Sequence, residues 1–399
     1  MTAWIIEPID PLIVRDGRPF GPTPGVRATS LNFPFPSTLA GGVRTRYGLC
    51  QNRDFDDVDA AKKADLIQTV MGIAVAGPIL VQLEHETGEV ARWFAPAPAD
   101  ALLFQAAGPQ SNGVSVRRLL PHALPEGTHT NLPGGLLPTC LVPPDPSKPC
   151  RKAPRFWYWD KFEQWLILPT SNETLLAQLG SNGPVTETRT HVSVQPGTGT
   201  AAEGALFQTS GLEFSNRSTD GLSSVRRLAL AFTTTTDGLT PGLFPFGGER
   251  RLTSWRKSVV HFPQCPSALI DSIASTQSCR IVLLTPAHFK AGFRPEWLTM
   301  DTTDGVKASL ISVAAGRAQV ISGWDFALRT PKPTRRLVPA GAVFFLKLDG
   351  DKDSIRQWVN RMWMQCVSDD TQDRLDGFGL AVPGAWSGET PKMKTEMMA

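Results

Sequence analysis

The sequence predicts an α+β fold built from two similar units. Three observations lead there. At 399 residues the chain has room for two domains of ordinary size, each with its own core. From residue 226 onward, once insertions are set aside, β-rich and helical stretches follow in the order strand, helix, strand, strand, helix, strand. The first half reads the same way, with a strand at 4, a helix at 38, strands at 73 and 90, a helix at 172 and a strand at 189. That order is the split βαβ, ferredoxin-like (RRM-like, βαββαβ) arrangement. It places one unit at 1–220, with an insertion around 105–165, and another at 221–399, with a glycine-rich loop at 377–379.

In the first unit, Trp4-Ile5-Ile6 are β-formers that Pro8 and Pro11 bring to an end. After a Gly/Pro loop, Ser37 has the chemistry of an N-cap, and Leu39, Val43 and Tyr47 then fall four apart on one helical face. Gly41-Gly42 weakens that helix by about 1 kcal/mol per glycine, a loss that makes sense where something approaches the backbone closely. A short helix is expected at 60–71, strands at 73–83 and 90–104 around a turn at Glu86-Thr87-Gly88, and loops over 105–155. The aromatic cluster Phe156-Trp157-Tyr158-Trp159 with Trp165 reads as core or subunit interface, and 172–179 as a short capped helix. Arg189-Thr190-His191-Val192 and Gly204-Ala205-Leu206-Phe207 form two strands around a loop at 197–200.

In the second unit, strands are expected at 226–235, 280–284, 320–328 and 342–348, with a short helix at 266–275. The clearest helix follows, where Ile355, Trp358, Val359, Met362, Trp363 and Cys366 repeat at three- and four-residue spacing and form one buried face.

Composition narrows the function classes. Thirty-five glycines and 34 prolines predict long loops, whereas 11 tryptophans and 20 phenylalanines argue against disorder. The six cysteines show no finger spacing, which fits reduced thiols in a cytoplasm and no metal site. The N-terminus lacks the form of a signal peptide, and no apolar run approaches the ~20 residues of a membrane span. No Walker loop, H-E-x-x-H or G-x-S-x-G is present, so neither a cofactor nor a catalytic residue is expected.

Charge is concentrated rather than spread. Residues 11–49 hold Arg15, Arg18, Arg27, Arg44 and Arg46 against the single acid Asp16, a net of 5 − 1 = +4, while the whole chain carries +3. A basic Gly/Pro loop feeding a helix N-terminus suits a polyanion. Solvated arginines on a surface loop would look the same at this level. The run Asp54, Asp56, Asp57, Asp59 reads as a solvated face or a docking surface for a basic partner. Further bases occur at Phe246-Gly247-Gly248-Glu249-Arg250-Arg251 and at Arg329-Thr330-Pro331-Lys332-Pro333-Thr334-Arg335-Arg336. Gly377-Phe378-Gly379 offers backbone amides unhindered by Cβ atoms, which suits close approach to a phosphate or sugar.

Several of these blocks stand in one order. Asp10-Pro11-Leu12 precedes Arg15-Asp16-Gly17-Arg18-Pro19-Phe20, then Pro34-Phe35-Pro36-Ser37-Thr38-Leu39-Ala40-Gly41-Gly42-Val43-Arg44. Gly247 to Arg251, the segment Gly323 to Gly341 and Gly377 to Ala381 follow. Together they resemble the RAMP proteins that form subunit three of the Cmr complex, the type III-B CRISPR effector. The resemblance implies a non-catalytic subunit that holds the 5′ tag of the guide RNA (crRNA) and joins the large polymerase-like (HD/Palm) subunit to the neighbouring RAMP backbone subunits, meeting target RNA only indirectly. It points to Arg15, Arg18, Ser37, Thr38, Arg44, Arg46, Gly247, Gly248, Arg250, Arg251, Arg335, Arg336, Gly377, Phe378 and Gly379 as the RNA-binding set. The alternative is a RAMP endoribonuclease acting on precursor RNA, with His191 or another histidine as base and an arginine steadying the developing charge. One histidine on a strand is more often structural than catalytic.

Overall fold

The computed structural model describes residues 1–15, 27–28, 30–53, 55, 59–106, 113–217, 225–298, 305–325 and 330–393. Its main elements, in chain order, begin with β1 (Thr2–Pro8), α1 (Pro36–Cys50), α2 (Ala60–Met71), β2 (Val75–Leu83) and β3 (Val90–Pro96). Next come β4 (Phe156–Tyr158), α3 (Trp159–Ile167), the hairpin β5 (Val185–Val194) and β6 (Ala201–Glu213), and β7 (Val225–Thr234), β8 (Gly242–Pro245) and β9 (Leu252–Lys257). The last part holds α4 (Ser267–Thr276), β10 (Ser278–Leu283), β11 (Lys307–Ala314), β12 (Arg335–Leu337), β13 (Val343–Asp349), α5 (Lys352–Met362), α6 (Thr371–Leu375) and β14 (Leu380–Ala385). The fold is α+β with mostly antiparallel sheets, as the sequence predicts.

Two sheets organise the chain. In the first, the order β4-β3-β2-β7-β1-β9-β8 places β1 inside the sheet, with Ile5 opposite Ala231 on one side and Arg256 on the other. In the second, the order is β11-β13-β10-β14. If β2, β7, β1 and β9 of the first sheet and the four strands named in the second are each numbered by their position in the chain, both read 4-1-3-2. Residues 225–257 therefore belong to the first sheet, and the boundary expected at 220 falls inside it. A β-rich run such as Arg226–Thr235 declares a strand but not its neighbour, because alternation encodes a buried face and not a partner.

Of the expected helices, that at 172–179 is absent, Asn172–Leu175 being a strand and Leu176–Leu179 a single helical turn, whereas that at 266–275 forms as α4. Against the ferredoxin-like order each unit is one helix short: among the described residues no α-helix lies between β7 and β9 or between β10 and β11. The insertion is also more ordered than its prolines suggest. Ala101–Gln105, Gly113–Pro121, Thr139–Val142 and Asn172–Leu175 pair into a small sheet of their own.

Packing follows the alternation of the strands. Trp4 and Ile6 face α1, whose Leu39, Ala40 and Val43 meet Val75, Leu80, Leu230, Phe232 and Trp255 in one cluster. Gly42 is explained here: a Cβ would come within 2.6 Å of the Phe246 ring, so the close approach is by an aromatic side chain of the same protein. In α5 the expected stripe is buried at Ile355, Trp358, Val359 and Met362, and the Asp351 carboxylate caps the helix by accepting from the Asp353 and Ser354 amides at 3.0 and 2.9 Å. The aromatics at 157, 159, 162 and 165 lie in a core shared with α4, α5 and the second sheet. They hold the two units together and are not a surface for stacking bases.

Within that core lies a fully buried ion pair, Arg280 with Asp100. The guanidinium also donates to the carbonyls of Ala385 (2.9 Å) and Trp165 (2.6 Å), and the Trp165 indole N–H donates to Asp100 at 2.9 Å. One salt bridge thus fastens the insertion, α3, β10 and β14 to each other.

Candidate nucleic-acid interface

Leu12 to Arg15 form a spine around which a first group of basic side chains gathers. Leu12 pairs with Leu212 of β6, Ile13 with Gly248, and Arg15 with Ser30. Ser30 locks the arrangement: its N–H donates to Ser210 Oγ at 2.7 Å, and its own Oγ accepts from the Val14 N–H at 3.2 Å. The turn after Phe246 places Gly247, Glu249 and Arg250 at positive φ (76°, 56° and 51°), and the Gly248 amide donates to the Ile13 carbonyl at 2.6 Å. Arg250 is exposed as a result, as is Arg15. Arg251, half-buried, is bound to Glu249 at 2.8 Å. It lines a small cleft with Ile13, Glu187, Arg189 and Thr209. The hydrogen bond to Glu187, followed by that residue's charge, holds the pKa of Arg189 above its ordinary value.

A second group lies at the start of α1. The Leu31 N–H donates to the Val14 carbonyl at 2.7 Å, and Leu31 packs against a cluster of Phe35, Ile321, Leu337 and Phe378. The Arg335 guanidinium sits 5.2 Å from the Phe378 ring centroid and is ion-paired with Asp373, while Arg336 beside it is exposed. Ser37 does not cap the helix. Phe35 takes that place, with Pro36 as first helical residue, no side-chain cap and no acid in the first turn. Ser37 and Thr38 are half-buried there, so the positive end of the helix dipole carries no compensating carboxylate of its own.

Five members of the expected set are committed inside the fold. Arg44 is buried, paired with Asp376 at 2.6 Å and donating to the carbonyls of Val70 and Ile73 at 2.9 and 3.1 Å. Arg46 is buried against Phe244 and Trp255 and donates to the Thr240 carbonyl at 3.0 Å; burial lowers its pKa. Both were expected to meet phosphate, but the side of α1 that carries them, off the apolar stripe, is covered too. Gly377, Phe378 and Gly379 are buried as well. A Cβ on Gly377 would lie 2.8 Å from the Val75 carbonyl oxygen, and one on Gly379 (φ +79°) 2.8 Å from the Ser368 amide. These glycines let the second unit's backbone approach other protein backbone rather than a sugar or phosphate.

Arg18 lies outside the described residues, as do Asp54, Asp56 and Asp57 of the acidic run; Asp59 caps α2 by accepting from the Ala61 and Lys62 amides. His191 stacks on Phe207 with centroids 5.1 Å apart, and its Nε2 lies 2.8 Å from Thr209 Oγ1. A different histidine is held by a carboxylate: His288 Nδ1 is 2.8 Å from Asp373. No local signal could have found it, because the two residues lie 85 positions apart.

Fold and surface together define an α+β protein of two antiparallel sheets sharing a core, with exposed arginines brought to the loops around the start of α1. The chain belongs to the CRISPR-associated protein family Cas_Cmr3, whose model matches residues 4–386, and this bears out the resemblance read from the sequence. Among solved structures, the chain is similar to one from a cryo-EM structure of the type III-B Cmr-beta bound to cognate target RNA and AMPPnP, at 13% identity and a TM-score of 0.44, covering 90% of this chain and 88% of that one. A second, from Cmr-beta bound to cognate target RNA, gives 15% and 0.44, with 86% of each chain covered. A chain of the Csm3-Csm4 subcomplex of the type III-A interference complex gives 8% and 0.35, covering 88% of this chain and 94% of that one. No curated protein matches the chain in sequence. Among the described residues, no helix is long and apolar enough to cross a membrane.

Proposed function

We propose that this protein is the non-catalytic guide-RNA-binding subunit of a type III-B CRISPR effector, holding the 5′ tag and bridging the large polymerase-like subunit to the RAMP backbone. The observation that carries the reading is the convergence of Arg15, Arg250 and Arg251 with Arg335 and Arg336. These come from three distant stretches of sequence and are joined through Leu31 to the uncapped start of α1. Cations on loops set by a rigid scaffold, beside a helix N-terminus, suit a phosphate backbone. The 4-1-3-2 order of both sheets supports two ferredoxin-like units, each short of one helix. Family membership supplies the complex in which such a surface would work.

The test is incubation of the full chain, with the large polymerase-like subunit, with tag-bearing guide RNA and with repeat-containing precursor. The expected result is binding that weakens steeply with salt and leaves both RNAs intact. His191→Ala is expected to change neither property. Cutting of the precursor that disappears in His191→Ala would replace this reading with the endoribonuclease.

A further inference from the structure

His288 is fixed by a carboxylate that is itself held by an arginine. Asp373 is buried. Its Oδ1 is taken by the Arg335 guanidinium, and its Oδ2 lies 2.8 Å from His288 Nδ1. The backbone on both sides is pinned as well. The His288 N–H donates to Ser368 Oγ at 3.0 Å, the His288 carbonyl accepts from the Asp369 N–H at 3.1 Å, and the Phe378 N–H donates to the Asp373 carbonyl at 2.9 Å.

This geometry assigns the tautomer. A carboxylate engaged by a guanidinium can only accept, so Nδ1 carries the proton and donates it. In the neutral ring Nε2 is then left as a hydrogen-bond acceptor, on a side chain that keeps 23% of its surface exposed. A phosphate oxygen has no proton to offer such an atom, whereas a hydroxyl has. The surroundings indicate which hydroxyl. Ala287 and Val338 exchange two backbone hydrogen bonds (2.9 and 2.8 Å), which sets His288 alongside the strand that carries exposed Arg336. A phosphate-seeking cation and a fixed acceptor side by side match the two groups that alternate along a ribose backbone.

We propose that His288, oriented by Asp373 and Arg335, accepts a hydrogen bond from a ribose 2′-hydroxyl and so makes this surface select RNA over DNA. The proposal rests on the RNA-binding reading above. His288 acts in recognition, and Asp373 is a positioning residue.

The experiment compares the affinity of the full chain for a single-stranded RNA and for DNA of the same sequence, in wild type and in His288→Asn. The asparagine amide keeps a donor where Nδ1 stands, preserving the bond to Asp373, and removes the acceptor at Nε2. The expected result is that the variant binds RNA about three- to tenfold more weakly, the worth of one hydrogen bond, with DNA affinity unchanged. Replacing one ribose at a time by 2′-deoxyribose should reproduce that loss at a single nucleotide in wild type and at none in the variant. An RNA-to-DNA affinity ratio equal in wild type and His288→Asn overturns the proposal and leaves the RNA-binding reading standing. Absence of RNA binding by wild type overturns both. Cleavage of the RNA by wild type but not by the variant overturns it in favour of a general base.

Discussion

Replacing Asp100 by alanine is expected to lower the unfolding free energy by about 3–5 kcal/mol, the usual cost of removing one partner of a buried ion pair. The reason is what remains. Arg280 stays fully buried, with its hydrogen bonds to the carbonyls of Ala385, Trp165 and Leu166 but without a counter-charge, and the Trp165 indole N–H loses its acceptor. Urea denaturation should show an earlier midpoint, and because four elements meet at this pair, the loss should be felt by both sheets. Asp100→Leu combined with Arg280→Met removes both charges and should be less destabilised than Asp100→Ala, since no charge is then stranded. A change of under about 1 kcal/mol in Asp100→Ala would mean that the pair does not fasten the units.

Gly379→Val is expected to act on folding, at about 2–5 kcal/mol. Left-handed backbone costs a residue with a Cβ about 1–2 kcal/mol, and overpacking adds about 1–3. The clash at Gly379 is with the Ser368 amide, and the same loop at Gly377 abuts the carbonyls of Val75 and Gly77, so relief requires backbone to move. From sequence, a substitution here looks like a way to block RNA's approach to the backbone without changing charge. With the loop buried, RNA affinity should instead fall only as the folded fraction falls. A Gly379→Val protein with wild-type urea midpoint and weakened RNA binding would restore the loop to the RNA surface.

Much of the fold was legible because its signals are local. The Ile355–Met362 stripe, the β1 run ended by prolines and the hairpin around 197–200 each declare themselves within one continuous stretch. What was not legible is what depends on partners. The strand at 225–234 shows its alternation but not that it lies beside β1, more than two hundred residues earlier. The arginines illustrate the same limit. Arg44 and Arg250 look alike in sequence, yet one meets Asp376 from the far end of the chain and the other stands on an exposed turn. Motif position marked the neighbourhood of the candidate surface, and burial then sorted which of its cations reach solvent.

Affinity for tag-bearing guide RNA across a salt series, in wild type and in Arg250→Ala/Arg336→Ala, tests most directly whether the exposed arginines carry the RNA. Each phosphate contact on a single strand contributes about 0.7 to the slope of log affinity against log salt, so the double variant should bind more weakly with a slope smaller by about 1.4. Both residues are exposed, so the fold should be unaffected, which an unchanged urea midpoint would verify. Wild-type affinity and wild-type slope in the double variant would contradict the placement of the RNA on this surface.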